Sequence, residues 1–192
     1  MGIDPGLATY GWCLSDQGEG LLYVPQKAGF YCTKKRQGIS PSADFMARSN
    51  QLTDWVWELL SEHEPDFVVA EAFSYPRHAR SAVMLAAGYT VTLTACRMLQ
   101  IPFLQINRTV VLDHYEIDRK ARGARQRKKL IKDGIMAKVD ELWPGLEGLP
   151  RAKAKREHPA DAVVSIQCAV ALENFLLRLE TARVNNDVVL VE

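Results

Sequence analysis

The sequence predicts an α/β domain in which helices cover a mixed sheet, and three observations lead there. The first 34 residues are rich in Gly, Tyr, Val, Leu and Thr, and are punctuated by the turn signals DPG, SDQGEG and PQKAG. Two short runs, FVVAEA and IPFLQI, are continuously apolar, as strands buried on both faces are. Between and after them the apolar residues recur at helical spacing. The 192 residues, 47% hydrophobic and 24% charged, suit a single domain, 1–192, with a full core.

In order, Ile3 to about Lys34 reads as a three-stranded meander. SPSADFMARSNQLTDWVWELLSEHEP changes period. Phe45, Leu52, Trp55, Val56, Leu59 and Leu60 fall on one helical face, with Ser42 placed as cap and Pro65 as stop. FVVAEA follows as a central strand. RSAVMLAAGYTVTLTACRMLQ is ambiguous: its Thr and Val content favours strand, while its length and small residues favour a helix. Such a helix, apolar nearly all round, must bury two faces, one on its own sheet and one on a partner subunit. IPFLQI is another buried strand. A basic segment at about 116–130, expected to be mobile, leads into a helix with Leu130, Ile131, Ile135, Val139 and Leu142 on one side, ended by Pro144. The last helix opens at HPADAVVSIQCAVALENFLLRL, with Pro159 in its first turn. A tail at about 182–192 has the composition of a short added strand.

The net charge of +1 conceals an asymmetry. Residues 119–156 carry a local net of +9, densest in RKARGARQRKKLIK, beside −8 for the remainder. A strong basic field next to an acidic body is the footprint of a polyanion-binding face; the ordinary alternative is a solvated arm. Cys13, Cys32, Cys96 and Cys168 match no metal spacing and read as buried thiols of a reducing compartment. No apolar run approaches the ~20 residues of a membrane span, and no signal-peptide pattern precedes the first strand, so a cytoplasmic protein is expected.

Three acids stand at the ends of elements. Asp4 lies in GIDPG, where Asp-Pro-Gly is also an ordinary turn signal. Glu71 ends FVVAEA, where a carboxylate is costly unless it is paired, binds a metal or reaches water past the strand end. Asp161 lies at a helix start, where an acid also complements the dipole, and His158 precedes it by three residues on the same side. Hard divalent cations take oxygen ligands from a few carboxylates and a substrate phosphate. Two such ions about 4 Å apart can stabilise both oxygens of a phosphodiester displacement. The acids and the basic patch then form one device: the patch holds nucleic acid, and the acids hold the metals that cut it.

GIDPG, then VVAEAF followed by ARSAVML, then HPADAVVSIQCA, taken in order, resemble the RuvC family of Holliday-junction resolvases, phage-type members included, within the RNase H-like nuclease superfamily. The resemblance spans residues 2 to about 172. It implies an RNase H-like fold with a central mixed five-stranded sheet flanked by helices, in which the strands of Asp4 and Glu71 are adjacent and parallel. It implies a homodimer nicking two opposed strands of branched DNA, a four-way junction, in the nucleoid or in a phage-infected cell.

Asp4 would bridge two metals, with Glu71, Asp161 and His158 as further ligands. The cofactor would be Mg²⁺ or Mn²⁺, two per active site; imidazole suits Mn²⁺ better, so Mn²⁺ should support cleavage at least as well as Mg²⁺. Phe73 or Tyr75 would engage the junction centre, the alternative for either being packing at a loop base. Arg77, Arg80, Arg125, Arg127, Lys128, Lys129 and Lys132 would contact DNA. Only three residues precede Asp4, which makes the first strand short for the family. The basic run is longer than the family's loop, which would broaden the range of branched substrates. Nothing in the sequence assigns a helicase partner.

Three other readings compete. An actin-like or sugar-kinase ATPase needs two such domains and a second phosphate loop, which 192 residues do not supply. An RNase H-like nuclease acting on flaps, forks or RNA–DNA hybrids keeps the same acids. A non-catalytic junction-binding protein has no need to cluster acids near phosphate.

Overall fold

The computed structural model describes residues 1–18, 23–74, 78–185 and 188–191. Its centre is a six-stranded sheet of order β3-β2-β1-β4-β5-β6, formed by β1 (Gly2–Asp4), β2 (Thr9–Gln17), β3 (Tyr23–Cys32), β4 (Val68–Glu71), β5 (Phe103–Ile106) and β6 (Val189–Val191). β1, β2 and β3 pair antiparallel, and β1, β4, β5 and β6 run parallel. The expected meander, the two central strands and the mixed character are all present. The sheet has six strands rather than five, because Val189–Val191 pairs with β5 along an edge that would otherwise be open.

Side chains alternate across the central strands and feed two cores. On one face Ile3, Val68, Ala70 and Phe103 pack with Leu52, Val56, Leu59 and Leu60 of α1 (Pro41–His63) and with Ala95 and Cys96 of α2 (Ala79–Met98). On the other, Val69, Leu104 and Ile106 meet α3 (Arg108–His114), α4 (Ala124–Leu142), α5 (Lys153–Ala171) and α6 (Phe175–Asn185). Burial on both faces is why FVVAEA and IPFLQI carry no polar alternation.

Local chemistry sets the helix ends. Ser40, rather than Ser42, caps α1: its Oγ accepts the N–H of Ala43 at 3.2 Å, with Pro41 opening the first turn. The chain turns left-handed at Glu64 (φ 40°), just before Pro65. The ambiguous segment is helix α2, one side on the sheet, with Val83, Leu93 and Met98 exposed elsewhere on it. α4 begins at Ala124, so the second half of the basic segment is helical. α5 starts at Lys153, six residues before Pro159, so this proline sits inside the helix rather than in its first turn. The good helix formers Lys153, Lys155, Arg156 and Glu157 extend the helix backwards past it.

Cys13, Cys96 and Cys168 are buried thiols as expected; Cys32, at the end of β3, is exposed. Among the described residues no single helix is long and apolar enough to cross a membrane.

Candidate active site

The parallel register of β1 and β4 pairs Gly2 with Val69 and Ile3 with Ala70, so the next step along each strand is Asp4 and Glu71. Both carboxylates leave the sheet at the same rim, the carboxyl ends of its parallel strands. Pro5 and Gly6 turn the chain away, and the N–H of Leu7 donates to the carbonyl of Met84 on α2 at 3.2 Å. Gly88 lets α2 lie directly on this turn: a Cβ there would stand 2.9 Å from backbone atoms of Pro5 and Gly6.

α5 crosses the opposite face of the sheet and brings the other two groups to the rim. A Cβ at Gly11 would come within 2.3 Å of the His158 carbonyl, so only glycine lets β2 and α5 approach this closely. The result is a contact across 154 positions of sequence, His158 Nδ1 to Asp4 Oδ2 at 2.5 Å. Asp161 follows on the same side of the helix, partly buried. All four residues singled out from the sequence therefore meet at one rim, carried by three separate elements.

Arg108 was not among them. It opens α3 directly after β5, and the pairing of Glu71 with Ile106 places it beside Glu71. Its Nη1 lies 2.5 Å from Glu71 Oε2 and its Nη2 lies 3.9 Å from Asp161 Oδ1. One signal in the sequence could have found it: the residues just past a central parallel strand line the same rim as that strand's neighbours. The Tyr89 hydroxyl donates to the Glu71 carbonyl, and Phe73 packs edge-on against Tyr89, with ring centroids 5.2 Å apart.

The electrostatics are those of crowded acids. Burial, then the charge of Asp4, pushes the Asp161 carboxyl up to about 7, against the pull of Arg108. Burial also raises Glu71, opposed by Arg108 and reinforced by Asp4. Burial alone would lower His158, but the hydrogen bond and charge of Asp4, then Asp161, outweigh it, and the imidazole is shifted upward. These are groups short of positive charge.

Among the described residues no set of three or more His, Cys, Asp and Glu side chains closes into a ready metal cage. Arg108 lies between two of the acids, hydrogen-bonded to Glu71 and 3.9 Å from Asp161. The donors still fit a hard divalent cation, being three carboxylates and one imidazole, and a cation would reverse the upward shifts of Glu71 and Asp161. Arg108→Gln is expected to cost about 1–2 kcal/mol in metal-free buffer, discounted because the guanidinium is about a third exposed. Divalent metal should restore more stability to the variant than to the wild type, read by thermal unfolding. Equal metal-induced shifts would show that Arg108 does not stand in for the cation.

No family model matches the chain. RuvC from Halorhodospira halophila, a crossover junction endodeoxyribonuclease, is 29% identical over 109 residues, covering 53% of this chain and 56% of that protein. The match thus spans little more than half of the relative's length. Thermus thermophilus RuvC, in a structure with a Holliday junction substrate, superposes with a TM-score of 0.62 at 19% identity over 94% of each chain. The yeast mitochondrial Holliday junction resolvase Ydc2 gives 0.55 at 14% identity, over 96% of this chain and 82% of its own. The chain thus has the fold of these solved structures, and its sequence is similar to a RuvC over about half of its length.

The residues read as DNA-binding fall in different places. Arg125, Arg127, Lys128 and Lys129 are exposed on the first turns of α4. Lys132, one turn further, pairs with Glu157 and faces the acids; burial first, then the charge of Lys128, lowers its pKa. A cleft of about 420 Å³ runs between these residues and Lys153 of α5. Arg80 is exposed in the first turn of α2. Phe73 is half-buried against Tyr89, the packing alternative. Tyr75 and Arg77 lie outside the described residues.

Proposed function

We propose that the chain is a structure-specific DNA endonuclease that resolves four-way junctions by paired, divalent-metal-dependent phosphodiester hydrolysis. The observation that carries this reading is the meeting of Asp4, Glu71, His158 and Asp161 at one rim, next to the basic cleft of α4. Asp4, Glu71, Asp161 and His158 would hold two Mg²⁺ or Mn²⁺ ions. When bound, the ions would stabilise charge on the attacking and leaving oxygens of the displacement.

The chain's own residues do the rest. Asp4 fixes the imidazole of His158 and faces both other acids. Lys132 and the exposed cations of α4 hold the phosphate backbone against the rim. The exposed Leu93 and Met98 of α2 support a homodimer, which would present two rims to two opposed strands.

The test offers the purified protein a labelled four-way junction, a flap, a fork and a linear duplex, with Mg²⁺ or Mn²⁺. Paired symmetric nicks confined to the junction are expected, with Mn²⁺ at least as effective as Mg²⁺. Equal cutting of linear duplex would leave a general nuclease in its place, and cutting confined to flaps or forks would favour a different branched substrate. Activity in Mg²⁺ with none in Mn²⁺ would remove His158 from the ligand set.

Charge reversal at Lys128 and Lys129 should weaken junction binding. It should also flatten the logarithmic salt dependence by about 0.9 for each phosphate no longer neutralised. A change in cleavage at unchanged affinity would place these lysines elsewhere in the mechanism.

A further inference from the structure

We infer a second surface for the nucleic-acid backbone, on the other side of the acids from α4: the cleft between the loop after β3 and the first turns of α1 and α2. The inference rests on the DNA-binding reading above and goes beyond it in assigning Lys35 and Arg36, and in joining them with Arg80 into one surface. The cleft, of about 570 Å³, has Lys35, Arg36, Arg48 and Arg80 as its cations and Asp44 as its acid, over an apolar floor that includes Phe45 and Met84. Asp44 is already engaged, accepting the N–H of Arg36 at 2.7 Å and forming an ion pair with Arg48 at 3.9 Å. Lys35, Arg36 and Arg80 are exposed, so the cleft carries a clear excess of positive charge.

The loop is braced, which distinguishes it from a solvated run of lysines. The buried Arg48 donates from Nε to Thr33 Oγ1 at 2.8 Å, and the Thr33 hydroxyl donates to the carbonyl of Leu7 at 2.7 Å. The side-chain amide of Gln51 accepts from the N–H of Lys34 at 3.0 Å and donates to its carbonyl at 3.4 Å. A basic loop held at its backbone loses little freedom on binding, so more of its electrostatic attraction survives as affinity.

The brace also sets the position. Leu7 belongs to the turn that follows Asp4 and is tied to Met84 of α2, so the cleft stands against the rim that carries Asp4. α1 and α2 cover one face of the sheet, α4 and α5 the other. The two basic surfaces therefore straddle the acids, and a DNA backbone crossing the rim from one helical layer to the other meets cations on both sides. The occupant that fits is the phosphodiester backbone of the arm leading away from the cut, a polyanion met by the exposed point charge of Lys35 and the guanidinium forks of Arg36 and Arg80.

The experiment measures binding of a four-way junction and of linear duplex in EDTA, across a salt series, for wild type, Lys35→Glu/Arg36→Glu, Arg80→Glu and Lys128→Glu/Lys129→Glu. The cleft variants should lose about 10-fold in junction affinity at about 0.1 M salt, and their log–log salt slope should fall by about 0.9 for each phosphate left unneutralised. Arg36→Lys should retain the wild-type slope. Thermal unfolding should be unchanged, because these side chains are exposed. Wild-type affinity and slope in folded cleft variants, with binding abolished in the α4 variant, would overturn this inference alone. Failure of the wild type to bind junction or duplex would overturn the function on which it rests.

Discussion

In Asp4→Asn, cleavage of a four-way junction is expected to fall by at least about 10³-fold while junction binding is retained. The substitution keeps the shape of the side chain and a hydrogen-bonding oxygen for His158, but removes the charge that faces both Glu71 and Asp161. Asp4 is the group on which the others converge, through His158 Nδ1 at 2.5 Å and through its effect on the titration of Glu71 and Asp161. Removing one negative charge beside the phosphate path should leave binding unchanged or slightly tighter. It should also leave the melting temperature unchanged or raised, since crowding among the acids is relieved. Activity within about 10-fold of wild type would show that the carboxylate is structural. Abolished binding would show that the variant had not kept its surface.

The second large effect concerns pH. Asp161 has a folded-state pKa of about 7 against 3.8 unfolded, so the folded chain keeps this proton to higher pH than the unfolded chain does. Its contribution to stability is therefore intact below 3.8 and is lost as pH rises toward 7. Glu71, shifted up by burial, acts in the same direction. His158 is also shifted upward, so the stability it contributes is present below its ordinary 6.5 and is lost as pH rises through its folded value. All three slopes have the same sign.

In metal-free buffer the protein should lose stability from about pH 5 to pH 7 by up to about 1.4 kcal/mol per pH unit from Asp161. Asp161→Asn should flatten this profile, and Mg²⁺ or Mn²⁺ should raise the melting temperature more at about pH 8 than at about pH 5. Parallel profiles for wild type and Asp161→Asn would remove Asp161 as the source.

How much was legible in the sequence depended on whether a residue's role came from its own element or from a neighbouring one. Asp4, Glu71 and Asp161 were visible because each is an acid where its own strand or helix ends. His158 was visible through its spacing from Asp161. Arg108 was not, because its role arises only when β5 lies next to β4 in register, a pairing between segments 35 residues apart in the order of the chain. Lys35 and Arg36 were missed for a different reason. The charge balance was dominated by residues 119–156, and the bracing by Arg48, Thr33 and Gln51 that sets the loop apart is a tertiary feature. Pro159 was read by its usual preference for a first turn, but α5 is held in place by packing on β1, β2, β3 and β4 and continues through it. The sixth strand could be proposed from VVLV but not placed, since its partner is the edge of β5.

The pairing of Asp4 with His158 has a temporal side. Asp4 is made well before His158 and Asp161, which follow it by more than 150 residues. Until α5 has emerged from the ribosome and docked beneath β1 and β2, the rim holds unbalanced acids and no complete site. Closing so long a loop is among the slower events in folding. Whatever chemistry the site performs is thus withheld from the nascent chain, and a partly made copy is inert by construction.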